Sequence, residues 1–135
     1  MIFAVAASVL IVVGLATWAM LRRHDQQIAR AVVDLRNRSL ARGTEPPPTE
    51  LPLEIPRNAS YLDIYLPLGS NDGVYDARLV TRTGQEVSTG RAAVELHQGI
   101  AVLSWNVNLS APPGVYVLQV RRIGSEWSSF SVRIK

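Results

Sequence analysis

The chain has 135 residues, 47% of them hydrophobic and 19% charged, with no cysteine and a formal net charge of +3. Without cysteine there are no disulfides, thiolate nucleophiles or cysteine-containing zinc sites, so a folded domain has to stand on its apolar core. The length supports one such core and excludes a second.

Ile2 to Leu21 is a run of twenty residues without a charge. At ~1.5 Å per residue a helix of that length crosses a ~30 Å hydrocarbon layer, which predicts a transmembrane helix over residues 1–21. A cleaved secretory signal fits poorly. Only Met1 precedes the apolar run, and Thr17-Trp18-Ala19-Met20 has bulky residues where a peptidase needs small ones. Trp18 suits the membrane interface, and Arg22 and Arg23 form a charged stop. The small residues Ala7, Gly14 and Ala16 suit helix association, which keeps open an alternative role as a structural or scaffolding subunit of a membrane complex.

Residues 22–50 read as a basic juxtamembrane and proline-rich connector. Within 22–42, six arginines stand against two aspartates, whereas residues 43–135 carry eight basic and nine acidic side chains. The basic bias is therefore local, and Arg22, Arg23 and Arg30 are expected to contact the headgroups of a lipid bilayer, with no nucleic-acid partner implied. By the positive-inside rule this cluster argues for a cytoplasmic C-terminal domain. The rule has only one side to weigh if Met1 is an internal start with a cytoplasmic segment ahead of it. Ala31-Val32-Val33-Asp34-Leu35-Arg36 can continue a helix or form a first strand within 31–39. Its β-branched pair and alternation favour the strand. In that case Pro46-Pro47-Pro48 lies in a loop of the domain; otherwise it is a stiff stalk.

From residue 51 to 135 short alternating runs recur at intervals of about ten residues between turn signals, the pattern of an all-β sandwich. Leu51 to Ile55 reads as an edge segment because of its prolines, and Tyr61 to Leu66 as a strand with Leu62, Ile64 and Leu66 on one face. Gly69-Ser70-Asn71-Asp72-Gly73 reads as a hairpin loop, followed by a strand over Val74 to Arg82 and a turn at Thr83-Gly84. Glu86 to Ser88 and Ala92 to Leu96 fall on either side of Gly90, and Gln98-Gly99 is a further turn. Alternation is clean through Ala101, Leu103, Trp105, Val107 and Leu109, then Tyr116, Leu118 and Val120, then Phe130, Val132 and Ile134. The fold expected is an immunoglobulin-like β-sandwich of about seven strands, its core including Leu62, Ile64, Leu79, Leu103, Trp105, Tyr116, Leu118 and Phe130.

The sharpest local signal is Pro112-Pro113-Gly114-Val115-Tyr116. A tyrosine two residues past a Pro-Gly turn can return its hydroxyl to an upstream backbone group, as in the tyrosine corner of Greek-key sandwiches, so Tyr116 is expected to be a structural residue.

The succession of an apolar membrane segment, a basic flank, Val33-Asp34-Leu35-Arg36, Arg42-Gly43, Leu66-Pro67-Leu68-Gly69-Ser70, Pro112-Pro113-Gly114-Val115-Tyr116 and Glu126-Trp127 resembles the C-terminal part of bacterial membrane-bound anti-sigma-like proteins of the zinc-finger type. The resemblance implies one membrane helix and an extracytoplasmic β-sandwich that receives a signal. The family's His-x-x-x-Cys-x-x-Cys ligands have no counterpart in this sequence, so sigma-factor sequestration transfers to none of these residues. The topology that it implies opposes the arginine cluster, and the expectation adopted is an inner-membrane protein with its C-terminal domain outside the cytoplasm.

Chemical sites are sparse. His24 and His97 have no ligand partner at helical spacing, so no metal is expected; no cofactor is implied, and the absence of a nucleophile elbow or acid–base pair points away from an enzyme. Tyr61, Tyr65 and Tyr75 lie in one sequence neighbourhood and are expected to form an exposed aromatic surface for a protein partner.

Overall fold

The computed structural model describes residues 29–39, 41–43, 46 and 50–135. The predicted membrane helix over 1–21, with Arg22 and Arg23, lies outside the described residues.

Ten strands form two sheets, with no helix among the described residues. Seven strands have five or more residues: β1 (Arg30–Asp34), β4 (Tyr61–Tyr65), β5 (Gly73–Val80), β6 (Glu86–Val94), β8 (Ile100–Asn106), β9 (Gly114–Arg122) and β10 (Ser128–Ile134). Three are short: β2 (Ala41–Arg42), β3 (Leu53–Ile55) and β7 (Leu96–His97). One sheet has the order β1-β4-β8-β7. The other runs β2-β10-β9-β5-β6, and β3 joins it parallel to β10.

Alternation builds the layers, because successive side chains of a strand point to opposite faces. Leu62 and Ile64 of β4, Leu103 and Trp105 of β8, Leu79 of β5, Tyr116 and Leu118 of β9 and Phe130 of β10 all lie in the one core between the sheets. Beyond the end of β8, Val107, Leu109 and Ala111 keep the same parity and remain buried. β9 is buried on both faces along most of its length, as a central strand with cover above it reads.

β1 is the first strand expected within 31–39, beginning one residue earlier. Its five residues pair with β4 in parallel, Arg30 opposite Tyr61 through Asp34 opposite Tyr65. The ladder is extended by the Leu35 N–H donating to the Tyr65 carbonyl at 2.9 Å. Residues 30–34 are thus a strand of the sandwich, and β2 and β3, on either side of the proline run, both join the six-stranded sheet. Ala29 and the end of the last strand are both held by the segment before β4: Ser60 N–H donates to Ala29 O at 2.7 Å, and Arg57 N–H to Lys135 O at 3.0 Å.

Two local expectations are corrected. Residues 69–73 do not close a hairpin, because β4 and β5 belong to different sheets and the segment crosses between them. Gly90 does not break a strand; β6 pairs with β5 on both sides of it, with Gly90 opposite Ala77. The glycine is needed for room, since a β-carbon there would fall inside the indole of Trp105. Gln98 and Gly99, both at positive φ (53° and 77°), make the two-residue turn joining β7 to β8, the backbone that such tight hairpins require.

Candidate recognition surfaces

The outward face of the four-stranded sheet is centred on β4. With Leu62 and Ile64 turned inward, Tyr61, Asp63 and Tyr65 face out, flanked by Arg30, Val32 and Asp34 on β1 and by Val102, Ser104 and Asn106 on β8. Both tyrosines are half-buried by these neighbours. The Arg30 guanidinium lies 5.3 Å from the Tyr61 ring centroid and pairs with Asp63 at 3.1 Å, and the Ser104 hydroxyl donates to the same carboxylate at 2.7 Å. Arg36 lies 5.0 Å from the Tyr65 centroid, while its Nε and Nη2 donate to Asp34 at 2.9 and 2.7 Å. That guanidinium holds the Asp34 carboxyl below the ordinary carboxylate range, and the carboxylate raises Arg36 in return. Each tyrosine therefore carries a stacked cation tethered by an acid, with contact distances inside the ~6 Å reach of cation–π attraction. Val32, 59% exposed, stands between the two arginine-bearing ends.

Tyr75 does not join this surface. It is 7% exposed, in the core side of β5 in the other sheet, and its hydroxyl donates to the Asn71 carbonyl at 2.7 Å. Proximity in sequence fails here because the chain changes sheets between residues 66 and 72. Arg30 likewise is a member of β1, engaged with Tyr61 and Asp63, rather than part of a free basic connector. Tyr116 follows Gly114, at φ 156°, and its hydroxyl donates to the Pro112 carbonyl at 2.6 Å, fastening the passage from β8 into β9.

The six-stranded sheet has an outward face that the linear sequence does not announce. A groove of about 440 Å³ lies over β5, β6 and β9, with Arg78, Arg91, Arg121, Asp76, Glu86 and Trp127 in its lining. Strand register brings them together, with Asp76 opposite Arg91 on one side and Arg121 on the other. Arg91 donates to both Asp76 oxygens at 2.6 and 3.3 Å, and Arg121 to one at 3.3 Å. Asp76 is consequently held below the ordinary carboxylate range, chiefly by Arg91. Trp127 is within stacking distance of two cations, 4.2 Å from Arg78 and 4.3 Å from Arg121. Beneath them the Arg78 Nε donates to Gln119 Oε1 at 2.6 Å, Gln119 Nε2 to Ser129 Oγ at 3.1 Å, and Ser129 Oγ to the Gly43 carbonyl, so that a buried polar chain ties β5, β9 and β10 to the end of β2.

No family model, curated protein or solved structure matches this chain. The reading of its surfaces therefore rests on their own chemistry. Among the described residues no three His, Asp or Glu side chains come together as a metal-ligating group. His97 is exposed and 3.9 Å from Glu95.

Proposed function

We propose that this chain is a single-pass membrane protein of the bacterial envelope whose domain, an immunoglobulin-like sandwich, recognises another protein or an envelope component. On this reading the domain is a non-catalytic regulatory or sensory ectodomain, similar to that of anti-sigma-like proteins. The observation that supports it is the pair Tyr61 and Tyr65, four residues apart on the outward face of β4 and each stacked by an acid-tethered arginine. Aromatic side chains already ordered by their neighbours lose little freedom on binding, and Tyr and Arg are enriched at the centres of interfaces. Val32 adds an exposed apolar contact on the adjacent strand. The membrane anchor rests on the apolar run Ile2 to Leu21.

Protease treatment of intact spheroplasts tests the topology: digestion of the domain from outside is expected, and protection until lysis overturns the ectodomain reading. Crosslinking in cells tests the surface. A partner crosslinked to the native chain and lost with Tyr61→Ala plus Tyr65→Ala, the domain remaining folded, is the expected result; an unchanged crosslink pattern moves recognition away from this face.

A further inference from the structure

We infer that the groove on the six-stranded sheet is a second binding site, which takes an acidic segment of a protein partner through Asp or Glu carboxylates on that segment. It stands on residues of a different sheet and does not depend on the role of Tyr61 and Tyr65.

Three guanidinium groups converge there against two carboxylates, leaving one net positive charge. Each guanidinium has five N–H donors, and among the described residues Arg78 uses two, on Gln119 and Glu86, Arg91 two and Arg121 one, on Asp76. Trp127 lies against both Arg78 and Arg121, whose Nε atoms are held by Gln119 and Asp76, and a planar guanidinium positioned in this way can present its terminal nitrogens to a carboxylate. The groove already contains its own complement: the Asp76 carboxylate gripped between Arg91 and Arg121. Arg91 remains 63% exposed along its side chain while making that pair, so a second carboxylate can reach it from solvent. Glu86, itself largely exposed and 3.4 Å from Arg78, is held loosely enough to be displaced.

Two features select the ligand class. Guanidinium donors set among carboxylates, with one net positive charge, suit singly charged carboxylates spaced along a segment better than the dense charge of a phosphate polymer. The groove's volume falls in the ~300–1,000 Å³ range of ligand sites, but it lies open on a sheet face, whereas small molecules bind where most of their surface is enclosed. A peptide segment covers an open groove in a way that a small acid does not.

The test uses the full chain in a neutral detergent and a fluorescein-labelled peptide of alternating Glu and Ser, followed by anisotropy at low salt. Saturable binding that weakens as salt rises is expected. Arg91→Gln should weaken it about tenfold, while Arg133→Gln, the same charge change on β10 outside the groove, should leave it unchanged. Asp76→Asn removes the internal competitor and should tighten binding about threefold or more, a gain that loss of folding cannot imitate. Absence of saturable binding overturns the inference. So do equal effects of Arg91→Gln and Arg133→Gln, which mean diffuse charge attraction, and an Asp76→Asn variant that binds no more tightly. Binding to phosphatidylglycerol vesicles without binding to the peptide overturns it in favour of a lipid headgroup.

Discussion

Tyr75 and Tyr116 make the same hydrogen bond from opposite ends of two neighbouring strands. Each hydroxyl reaches a carbonyl four residues upstream, that of Asn71 at 2.7 Å and that of Pro112 at 2.6 Å, and each tyrosine completes a Gly-Val-Tyr triplet whose glycine has positive φ. Both triplets enter the six-stranded sheet from a segment that has just crossed between layers. The bond therefore anchors each crossing at the point where no ladder partner is available to hold it.

Tyr75→Phe and Tyr116→Phe should each cost about 1 kcal/mol, the net worth of one such bond. Tyr75 pairs with Arg122 in register, which sets the two tyrosines some six residues apart along the sheet, about 20 Å at ~3.4 Å per residue. Sites that distant act independently, so the double variant should lose the sum to within about 0.5 kcal/mol in urea unfolding.

The contact between Gly90 and Trp105 gives a second test. Trp105 is 4% exposed with its indole edge against Gly90, and its buried Nε1 has no hydrogen-bond partner among the described residues. Gly90→Ala should destabilise by about 1–3 kcal/mol through overpacking. Trp105→Ala should cost about 3–5 kcal/mol by opening a cavity. Combined, the two changes should cost less than their sum, since the methyl added in place of the Gly90 hydrogen enters the space that the indole vacates; denaturant midpoints of the four proteins decide it.

Acid sensitivity follows from the paired carboxylates. Asp76, held by Arg91 and Arg121, and Asp34, held by Arg36, both titrate below their ordinary range, as does Glu50, which accepts the Ser39 N–H at 2.9 Å. A carboxyl depressed in the folded state adds stability that is fully present above its unfolded pKa and is lost as pH falls through the folded one. Melting temperature should therefore be insensitive to these groups above about pH 5 and decline from about pH 4 downward. Asp76→Asn should be less stable at neutral pH and show a shallower acid decline.

Surface and core positions on one strand should separate cleanly. Tyr65→Ala removes an outward ring and its contact with the Arg36 cation, a loss of about 1 kcal/mol. Leu62→Ala on the same strand empties a fully buried position and should cost about 2–5 kcal/mol. Comparable losses in urea unfolding would mean that the faces of β4 are assigned wrongly.

What was legible in the sequence is the parity of each strand, because burial of one face imposes a period of two whatever the partner. Leu62 and Ile64, Leu103 and Trp105, and Phe130 all follow that rule. The polar run 69–73 misleads because turn chemistry is the same whether a chain folds back on its own sheet or crosses to the other. Gly90 misleads for a related reason: its role is set by an indole arriving from the opposite layer, which no window around Gly90 contains. The Arg78, Arg91, Arg121 and Trp127 groove is illegible for a third. Arg78, Arg91 and Arg121 sit at ordinary outward positions of their strands and Trp127 just before β10, and only the register between β5, β6, β9 and β10 makes four isolated side chains into one surface. Asp76 and Arg78 alternating with buried Tyr75, Ala77 and Leu79 mark an outward face, without saying who stands opposite.

The parallel pairing of β1 with β4 also has a mechanical meaning. From Ala29 the chain runs directly into a strand whose ladder to β4 lies along its own direction, closed at its far end by Leu35 and Tyr65. A pull arriving at residue 29 along that axis loads these hydrogen bonds in shear, all at once, instead of peeling them one by one. The inward side chains Ala31, Val33 and Leu35 resist the same slide, since slipping by one residue would turn all three out of the core. The first strand thus acts as the grip by which the rest of the sandwich bears tension.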